Sequence, residues 1–310
     1  MSITPVSYRL YAEDFPRFAA ELGASFERYG FAVLCDHPLP QALIDDALHD
    51  TKAFFALPTD LKAKYRIEGG MGQRGYIPFG IETAKGAAHH DLKEFWHVGR
   101  DLPPGHRFRD HMPDNVWPDA EVPGFHPHLK ALYDAIDALG NEVLRAIARR
   151  LTLADDFFAP TVEQGNSILR LLHYPPVPED GPHVRAGAHE DINVITLLLG
   201  AEEAGLELLD KSGEWLAVNP PAGSIVVNIG DMLQRLTNHR LPSTSHRVVN
   251  PAPERRGVAR YSTPFFLHFA SDYLIRTLPQ TVDAQHPDRY PEPITADGFL
   301  KERLREIKLA

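Results

Sequence analysis

The chain has 310 residues, a formal net charge of -10 and 43% hydrophobic residues, which is enough apolar material for a buried core in one large domain or two. Its 32 basic residues are scattered, which argues against a nucleic-acid partner. The single cysteine, Cys35, excludes an internal disulfide framework, and the amino terminus lacks a signal-peptide core. No apolar run reaches the roughly 20 residues of a membrane helix. We therefore expect a cytoplasmic protein with no membrane partner.

The first part of the sequence predicts two amphipathic helices around a short strand. Apolar residues recur at helical spacing over 12–29, where Asp14 is the expected N-cap and Gly30 the expected stop. The run 31–35 predicts a buried strand, and a second amphipathic helix follows at about 43–55. These elements are expected to form a supporting layer.

A glycine-rich stretch at 69–85 carries the aromatic residues Tyr76 and Phe79. Its composition predicts a loop that walls a pocket, with a solvated loop as the alternative. The histidines that follow it are expected at surface or core positions rather than as metal ligands.

The sequence pattern changes after the long periodic helix predicted at 128–151. Beyond Gly165, short apolar runs are separated by turn signals, at 168–172, 194–199, 206–209, 224–228, 246–249 and 261–269. Six strands at this spacing predict a closed or double-sheet body, most naturally a jelly roll. A final amphipathic helix is expected after the capping residue Thr295.

We divide the chain accordingly into four parts. They are an amino-terminal helical and mixed domain (1–118), a long supporting helix with its connection (119–163), a jelly-roll catalytic core (164–275) and a carboxy-terminal extension with a helix (276–310). The expected fold class is α+β, with a jelly-roll core flanked by helices.

A His-x-Asp pattern occurs three times, at 89–91, 189–191 and 286–288. In a strand, side chains two apart point to the same side, so such a pair can converge on one ion. Context favours His189 and Asp191, because they open an apolar strand and because His246 begins a later strand of the same β body. Two histidines and one carboxylate form a facial triad that leaves positions free on Fe(II). The competing third ligand is His239, in a polar turn where solvent exposure is expected.

The sequence R-Y-S at 260–262 contains the only Arg-x-Ser in the chain. Arg260 and Ser262 share one face of a strand, so a guanidinium and a hydroxyl can together bind one carboxylate. The alternative, an arginine on a solvated strand face, is disfavoured because the motif lies one strand after His246.

With these residues in place, the chain resembles the Fe(II)- and 2-oxoglutarate-dependent dioxygenases, specifically their isopenicillin N synthase-like branch. The resemblance is ordered and covers most of the chain. Its motifs are Y-G-F-A-V-L-C-D-H-P, R-L-L-H-Y-P-P, H-E-D-I-N-V-I-T-L-L-L, L-T-N-H-R-L-P-S-T-S-H-R-V and R-Y-S-T-P-F-F-L.

The resemblance implies a double-stranded β-helix core with His189, Asp191 and His246 as iron ligands. It implies further that Arg260 and Ser262 hold the distal carboxylate of 2-oxoglutarate, with Tyr174 as a hydrogen-bond donor to the same cosubstrate. Substrate contacts are expected from five residues: Tyr76, Phe79, Asn193, Phe266 and His268.

The implied activity uses Fe(II), 2-oxoglutarate and O2. It couples oxidative decarboxylation of 2-oxoglutarate to succinate with hydroxylation, desaturation or ring closure of a small molecule. Four alternatives stay open: an isopenicillin N synthase-type oxidase that uses no 2-oxoglutarate, fragmentation of 2-oxoglutarate to ethylene, a zinc jelly-roll hydrolase, and a non-catalytic binding protein. The primary substrate and the oligomeric state are not specified by the sequence.

Overall fold

The computed structural model describes residues 3–68, 72–81, 92–110, 112–177, 185–199 and 205–306. In these residues the helices are α1 (Arg9–Glu13), α2 (Phe15–Tyr29), α3 (Gln41–Phe55), α4 (Thr59–Ala63), α5 (Phe125–Arg150), α6 (Ala159–Val162), α7 (Asp231–Leu236) and α8 (Ala296–Glu306). None of the helices described is both long and apolar enough to cross a membrane.

Most of the strands belong to two sheets. The larger sheet contains β1 (Val6–Ser7), β2 (Phe31–Cys35), β3 (Gly75–Ile77), β4 (Glu94–Gly99), β5 (Ile168–Tyr174), β7 (Ile195–Leu199), β10 (Ile225–Ile229) and β12 (Arg260–Leu267). The smaller sheet contains β6 (Ala186–His189), β8 (Leu206–Leu209), β9 (Trp215–Ala217) and β11 (His246–Val248). A separate short pair joins β13 (Leu274–Ile275) to β14 (Ile294–Thr295).

The strand order is β1-β2-β10-β7-β12-β5-β4-β3 in the larger sheet and β6-β11-β8-β9 in the smaller one. Every pair in the two sheets is antiparallel except β1 with β2. The predicted α+β fold, with a double-stranded β-helix core flanked by helices, is confirmed. The six predicted strands correspond to β5, β7, β8, β10, β11 and β12.

The outer face of the larger sheet packs against helices α2, α3 and α5 in one hydrophobic core. Alternation along each strand sends every second side chain to this face. On β7, for example, Ile195 and Leu197 join the helical core, whereas Thr196 between them faces the inside of the barrel. The inner faces of the two sheets enclose a smaller apolar cluster and the functional groups described below.

The helix ends follow the sequence signals. The Asp14 carboxylate accepts a 3.1 Å hydrogen bond from the Arg17 backbone N–H and so caps α2. Gly30 ends α2 in the left-handed region, with φ of 69°. At α8, the Thr295 hydroxyl accepts a 3.1 Å hydrogen bond from the Gly298 backbone N–H.

The amino-terminal region contributes more β structure than predicted. The part of the 69–85 stretch that the structure describes lines the cavity described below, as predicted, but it also contains the three-residue strand β3, which was not predicted, and β4 follows it in the same sheet. Both strands join the larger sheet next to β5. The four-part division of the chain stays a prediction.

Candidate metal centre and its cavity

Three side chains from the 186–248 region converge on one point. His189 ends β6, and His246 begins β11 directly opposite it in the antiparallel pair. The two rings lie with centroids 4.4 Å apart. Each Nε2 faces the Asp191 carboxylate, with Oδ1 3.9 Å from His189 and 3.8 Å from His246. Donor atoms about 2 Å from one ion are roughly 3–4 Å apart, so these atoms nearly have the spacing of a metal site.

The position of Asp191 corrects one step of the sequence argument. Strand β6 ends at His189, and Asp191 lies in the connection to β7. The two residues therefore converge because the chain turns between the two sheets, and not because they share one strand face. The Asp191 carbonyl accepts a 2.7 Å hydrogen bond from the Asp231 backbone N–H, which fixes this turn at the start of α7.

The two imidazoles are oriented by backbone carbonyls. Nδ1 of His189 donates to the Gly187 carbonyl at 2.8 Å, and Nδ1 of His246 donates to the Thr244 carbonyl at 3.1 Å. Because a carbonyl only accepts, the proton of each neutral ring is held on Nδ1. Each Nε2 therefore presents a lone pair to the shared point, as metal-binding histidines do.

The Asp191 carboxylate is anchored through one oxygen. Its Oδ2 accepts hydrogen bonds from the Thr196 hydroxyl at 2.5 Å and from the Asn228 amide at 2.8 Å. The other oxygen, Oδ1, is left facing the histidines. Sequence reasoning missed both anchors, although a lone Thr in I-T-L-L-L and a lone Asn in I-V-V-N-I were visible signals in buried strands.

The electrostatics favour metal-binding protonation states of His189 and Asp191. Although 40% of the His189 side chain is exposed to the cavity, the surrounding protein and the neighbouring His246 lower the pKa of His189 to about 4. Burial acts to raise the pKa of Asp191, but His246, His189 and the two hydrogen bonds on Oδ2 hold that pKa below its ordinary value. Near neutral pH the structure thus favours a neutral His189 and a charged Asp191.

A cavity of about 740 Å³ opens beside this group. The metal-site face of the cavity includes His189 and Asp191. The larger sheet contributes Phe95, His97, Ile168, Arg170 and Phe266, and helix α8 contributes Leu300, Arg303 and Leu304. Sequence reasoning did not bring α8 to the site, because its amphipathic pattern identifies an apolar face but not the surface that this face covers.

The predicted clamp residues lie together inside the barrel. Arg260, Ser262 and Tyr174 are 2%, 6% and 3% exposed. Arg260 pairs with Tyr174 across the β12–β5 ladder, and its guanidinium carbon lies 5.3 Å from the centroid of the tyrosine ring. Arg260 and Ser262 share the face of β12 that continues to Phe266, a cavity residue. A role for the three residues in binding 2-oxoglutarate stays a prediction.

Two of the five predicted substrate contacts are well placed. Phe266 and His268 both line the cavity. His268 is 8% exposed, and burial lowers its pKa to about 4. The structure therefore favours a neutral, buried imidazole beside the metal-site face of the cavity.

The structure supports the other three predicted contacts less directly, and they stay predictions. Tyr76 and Asn193 border the cavity, but their side chains form hydrogen bonds with other groups of the protein. The Tyr76 ring lies on the outer face of the sheet, where its hydroxyl donates to Glu94 at 2.5 Å. The Asn193 amide donates to the Ile195 carbonyl and to the Thr196 hydroxyl. Phe79 is 43% exposed and does not line the cavity.

The competing metal-site candidates do not form comparable groups where the structure describes them. His239 makes a 2.6 Å hydrogen bond to the Tyr290 hydroxyl. His286 pairs with Asp283 on the surface. The pattern at 89–91 lies outside the described residues. Within the described ranges, one His/Asp group has the spacing of a metal site, and it consists of His189, Asp191 and His246.

Two family models match the chain. The model of the 2OG-Fe(II) oxygenase superfamily matches residues 165–269. The model described as non-haem dioxygenase in morphine synthesis N-terminal matches residues 5–120. The first span contains all the residues of the His/Asp group and of the predicted clamp.

Individual relatives match over nearly the whole length. The chain is 34% identical to the proline hydroxylase buaE of Petromyces alliaceus, over 98% of this chain and 99% of the relative. A crystal structure of a 2OG-Fe(II) oxygenase family protein from Caulobacter crescentus is 68% identical, with a TM-score of 0.92 over 98% of this chain and 99% of that one.

A third relative has been solved with the cosubstrate bound. This full-length Neurospora crassa protein, in complex with alpha-KG, is 30% identical, with a TM-score of 0.87 over 98% of this chain and 96% of that one. The motifs, the jelly-roll core, the His/Asp group and these relatives agree. The chain belongs to the 2OG-Fe(II) oxygenase superfamily and is an Fe(II)- and 2-oxoglutarate-dependent dioxygenase.

Proposed function

We propose that His189, Asp191 and His246 hold the Fe(II) ion. Arg260 and Ser262 bind the distal carboxylate of 2-oxoglutarate, and Tyr174 is a further hydrogen-bond donor to this cosubstrate. The metal assignment rests on the different surroundings of the two carboxylate oxygens of Asp191. One carboxylate oxygen is bound by Thr196 and Asn228, while the other faces two Nε2 lone pairs. Two imidazoles and one carboxylate are the donor set of the non-haem Fe(II) facial triad, so the residues fit the ion.

The bound iron, with 2-oxoglutarate and O2, supplies the oxidising power that converts 2-oxoglutarate to succinate and CO2 and oxidises a C–H bond of the substrate. The protein's own part is to bind and orient. Carbonyls hold the two imidazoles, and Thr196 and Asn228 hold the carboxylate. The Arg260 guanidinium offers a fixed, buried cation to a carboxylate, with Ser262 on the same strand face.

The cavity supports oxidation of a small molecule. Its volume of about 740 Å³ lies in the usual range for small-molecule sites. Phe266, Leu300 and Leu304 provide apolar walls that exclude water from the reacting carbon. Hydroxylation is the outcome we favour, since one full-length relative is named a proline hydroxylase.

Three finer assignments are also proposals. Motifs such as Y-G-F-A-V-L-C-D-H-P, which includes strand β2, favour the isopenicillin N synthase-like branch. The cytoplasmic location rests on the sequence expectation alone. The division at residues 118, 163 and 275 follows the changes in apolar periodicity along the sequence. Strands from the first and third parts nevertheless share one sheet.

An anaerobic titration tests the site assignment. Purified protein with Fe(II) should develop the weak visible charge-transfer band of a chelated 2-oxo acid when 2-oxoglutarate is added. His246→Ala should abolish the band, and Arg260→Ala should raise the 2-oxoglutarate concentration required by about tenfold or more. Arg9→Ala, which changes a 73% exposed side chain, is the control and should titrate like the wild type.

The outcomes separate the alternatives. A spectrum that does not respond to 2-oxoglutarate would overturn the clamp and favour the isopenicillin N synthase-type oxidase. Ethylene in the headspace of aerobic reactions would favour the fragmentation reaction. Protein that keeps zinc and consumes no O2 after loading with iron would contradict the assigned metal.

A further inference from the structure

One end of the cavity is strongly cationic. We call it the arginine end and define it by Arg74, His97, Asn166 and Arg170, all of which line the cavity. Its residues lie on β4, on β5, just before β5 and in the turn before β3. Strand β12 separates β4 and β5 from β7, which anchors Asp191. The arginine end is therefore distinct from the metal centre and from the β12 residues of the proposed clamp.

The most unusual member is Arg74, which is buried to 1% exposure. Its guanidinium lies flat on Gly99, where a built Cβ would come within 1.8 Å of the Arg74 Cζ. Phe95, His97 and Gly99 alternate along β4, and the first two line the cavity. The guanidinium thus occupies the place of a side chain on the cavity face of β4.

The hydrogen-bond partners of Arg74 carry no charge. Nη1 donates to the Gln73 carbonyl at 2.8 Å, and Nη2 donates to Oδ1 of Asn166 at 3.3 Å. Nε is buried without a hydrogen-bond partner. In the part of the chain that the structure describes, no carboxylate forms an ion pair with this side chain, and Asp101 and Asp114 act on it only from a longer distance. Burial of this kind is unfavourable for a cation and lowers the pKa of Arg74 to about 10.

The second guanidinium is held in a fixed plane. Arg170 lies between two aromatic rings, with its Cζ 4.3 Å from the centroid of Phe95 and 5.3 Å from that of Phe266. Its Nε donates to Nε2 of His97 at 2.6 Å, and Nδ1 of His97 donates to the Gly72 carbonyl at 2.6 Å. A planar, preoriented guanidinium is suited to a planar anion such as a carboxylate.

We propose that the primary substrate carries a carboxylate that binds at the arginine end while the carbon to be oxidised lies at the metal centre. This inference rests on the proposed function of the same cavity. A buried cation with neutral partners becomes favourable when the ligand supplies the missing negative charge, and the aromatic walls of Phe95 and Phe266 suit a ring or chain next to that carboxylate. The substrate class is therefore a small organic acid with an apolar or aromatic body.

Matched acid and amide pairs test this proposal. The probes are benzoate with benzamide, phenylacetate with phenylacetamide, and cyclohexanecarboxylate with its carboxamide. Each is added to the anaerobic Fe(II) complex saturated with 2-oxoglutarate, and its dissociation constant is obtained from the shift in thermal unfolding. The acids should bind about tenfold more tightly than the amides or better.

The sharpest variant is Asn166→Asp, which places a carboxylate oxygen where the amide oxygen now accepts from Arg74. The new charge should raise the thermal unfolding temperature, because the buried cation gains a partner, and it should also remove the acid preference. Arg74→Gln should remove the preference as well, because it removes the cation itself. Asn141→Asp adds the same charge on α5 outside the cavity and serves as the control, in which the acid preference should persist.

The outcomes are decisive. Equal shifts for acids and amides in the wild type, including no shift from either, overturn the inference, as does an acid preference that survives in Asn166→Asp. Loss of the 2-oxoglutarate charge-transfer band on adding the acids would show that they compete for the cosubstrate position, and would also overturn it. That band, recorded on the same samples without probe, reports separately on the proposed function. Its absence in the wild type is a failure of the function, and its presence with equal shifts is a failure of the substrate class alone.

Discussion

The hydroxyl of Thr196 donates to Oδ2 of Asp191, so a strand of the larger sheet fixes the carboxylate that the histidines of the smaller sheet face. The Thr196 hydroxyl in turn accepts a 3.0 Å hydrogen bond from the Asn193 amide. The hydrogen bonds run from Asn193 through Thr196 to Asp191, and they hold the Asp191 carboxylate in one orientation. The orientation of the Asp191 carboxylate is thus determined by the larger sheet.

Thr196→Val should weaken Fe(II) binding by about 10- to 100-fold, the range typical for groups that orient metal ligands. The substitution keeps the shape of the side chain and removes the hydrogen bond to Asp191. Anaerobic titration with Fe(II) or Co(II) measures the effect. Thr263→Val, on β12, is the matched control and should leave metal affinity unchanged. An unaltered affinity in Thr196→Val would show that Asn228 alone orients the carboxylate.

Glu94→Gln should destabilise the protein by about 3–5 kcal/mol, because it leaves the Lys62 ammonium buried without its charge partner. Glu94 is 1% exposed and accepts hydrogen bonds from Lys62, Tyr76 and His173. Denaturant unfolding measures the change. The double variant Lys62→Met with Glu94→Gln should recover part of the loss. A single variant as stable as the wild type would mean that Lys62 finds water or another acceptor.

Gly99→Ala should destabilise the protein by about 2 kcal/mol or more, since an added Cβ would overlap the Arg74 guanidinium. Gly257→Ala is the matched control, because nothing lies within 4 Å of its built Cβ. Comparison of the two unfolding free energies isolates the steric effect. If both variants were equally stable, Arg74 would have an alternative position of similar energy.

His268 should make stability dependent on pH. Burial lowers its pKa from 6.5 to about 4, so between these values the unfolded chain binds the proton and the folded chain does not. Stability from this group is therefore complete above about pH 6.5 and falls as the pH decreases toward about 4, by up to roughly 3 kcal/mol. His268→Gln, which cannot titrate, should show a shallower decrease over this window in denaturant unfolding. Parallel curves for both proteins would contradict the lowered pKa.

The His/Asp group could be predicted from the sequence because its signals are local and ordered. The pair His189 and Asp191 precedes a clear apolar strand, and His246 and the Arg260–Ser262 pair follow in later strands. For Arg260 and Ser262, which lie two apart within β12, strand alternation also fixes the relative side-chain direction. Phe266, predicted from its position after the Arg-x-Ser motif, lines the cavity.

Features that depend on strand order were not predictable in this way. Thr196 and Asn228 reach Asp191 only because β10 and β7 are neighbours in the larger sheet. The side-chain direction of Tyr76 was likewise not predictable, because β3 has only three residues and lies in a stretch rich in glycine. Its alternation sends Ile77 inward and Tyr76 outward. A three-residue strand carries too little periodicity to identify from sequence.

The position of Asp191 between the two sheets has a mechanical consequence. Its backbone follows the smaller-sheet strand β6, while its side chain is bonded to Thr196 and Asn228 of the larger sheet. An ion held by Asp191, His189 and His246 would cross-link the two halves of the barrel. A ligand that binds only the folded state stabilises that state. Bound iron should therefore make the barrel harder to open, in addition to making the protein active.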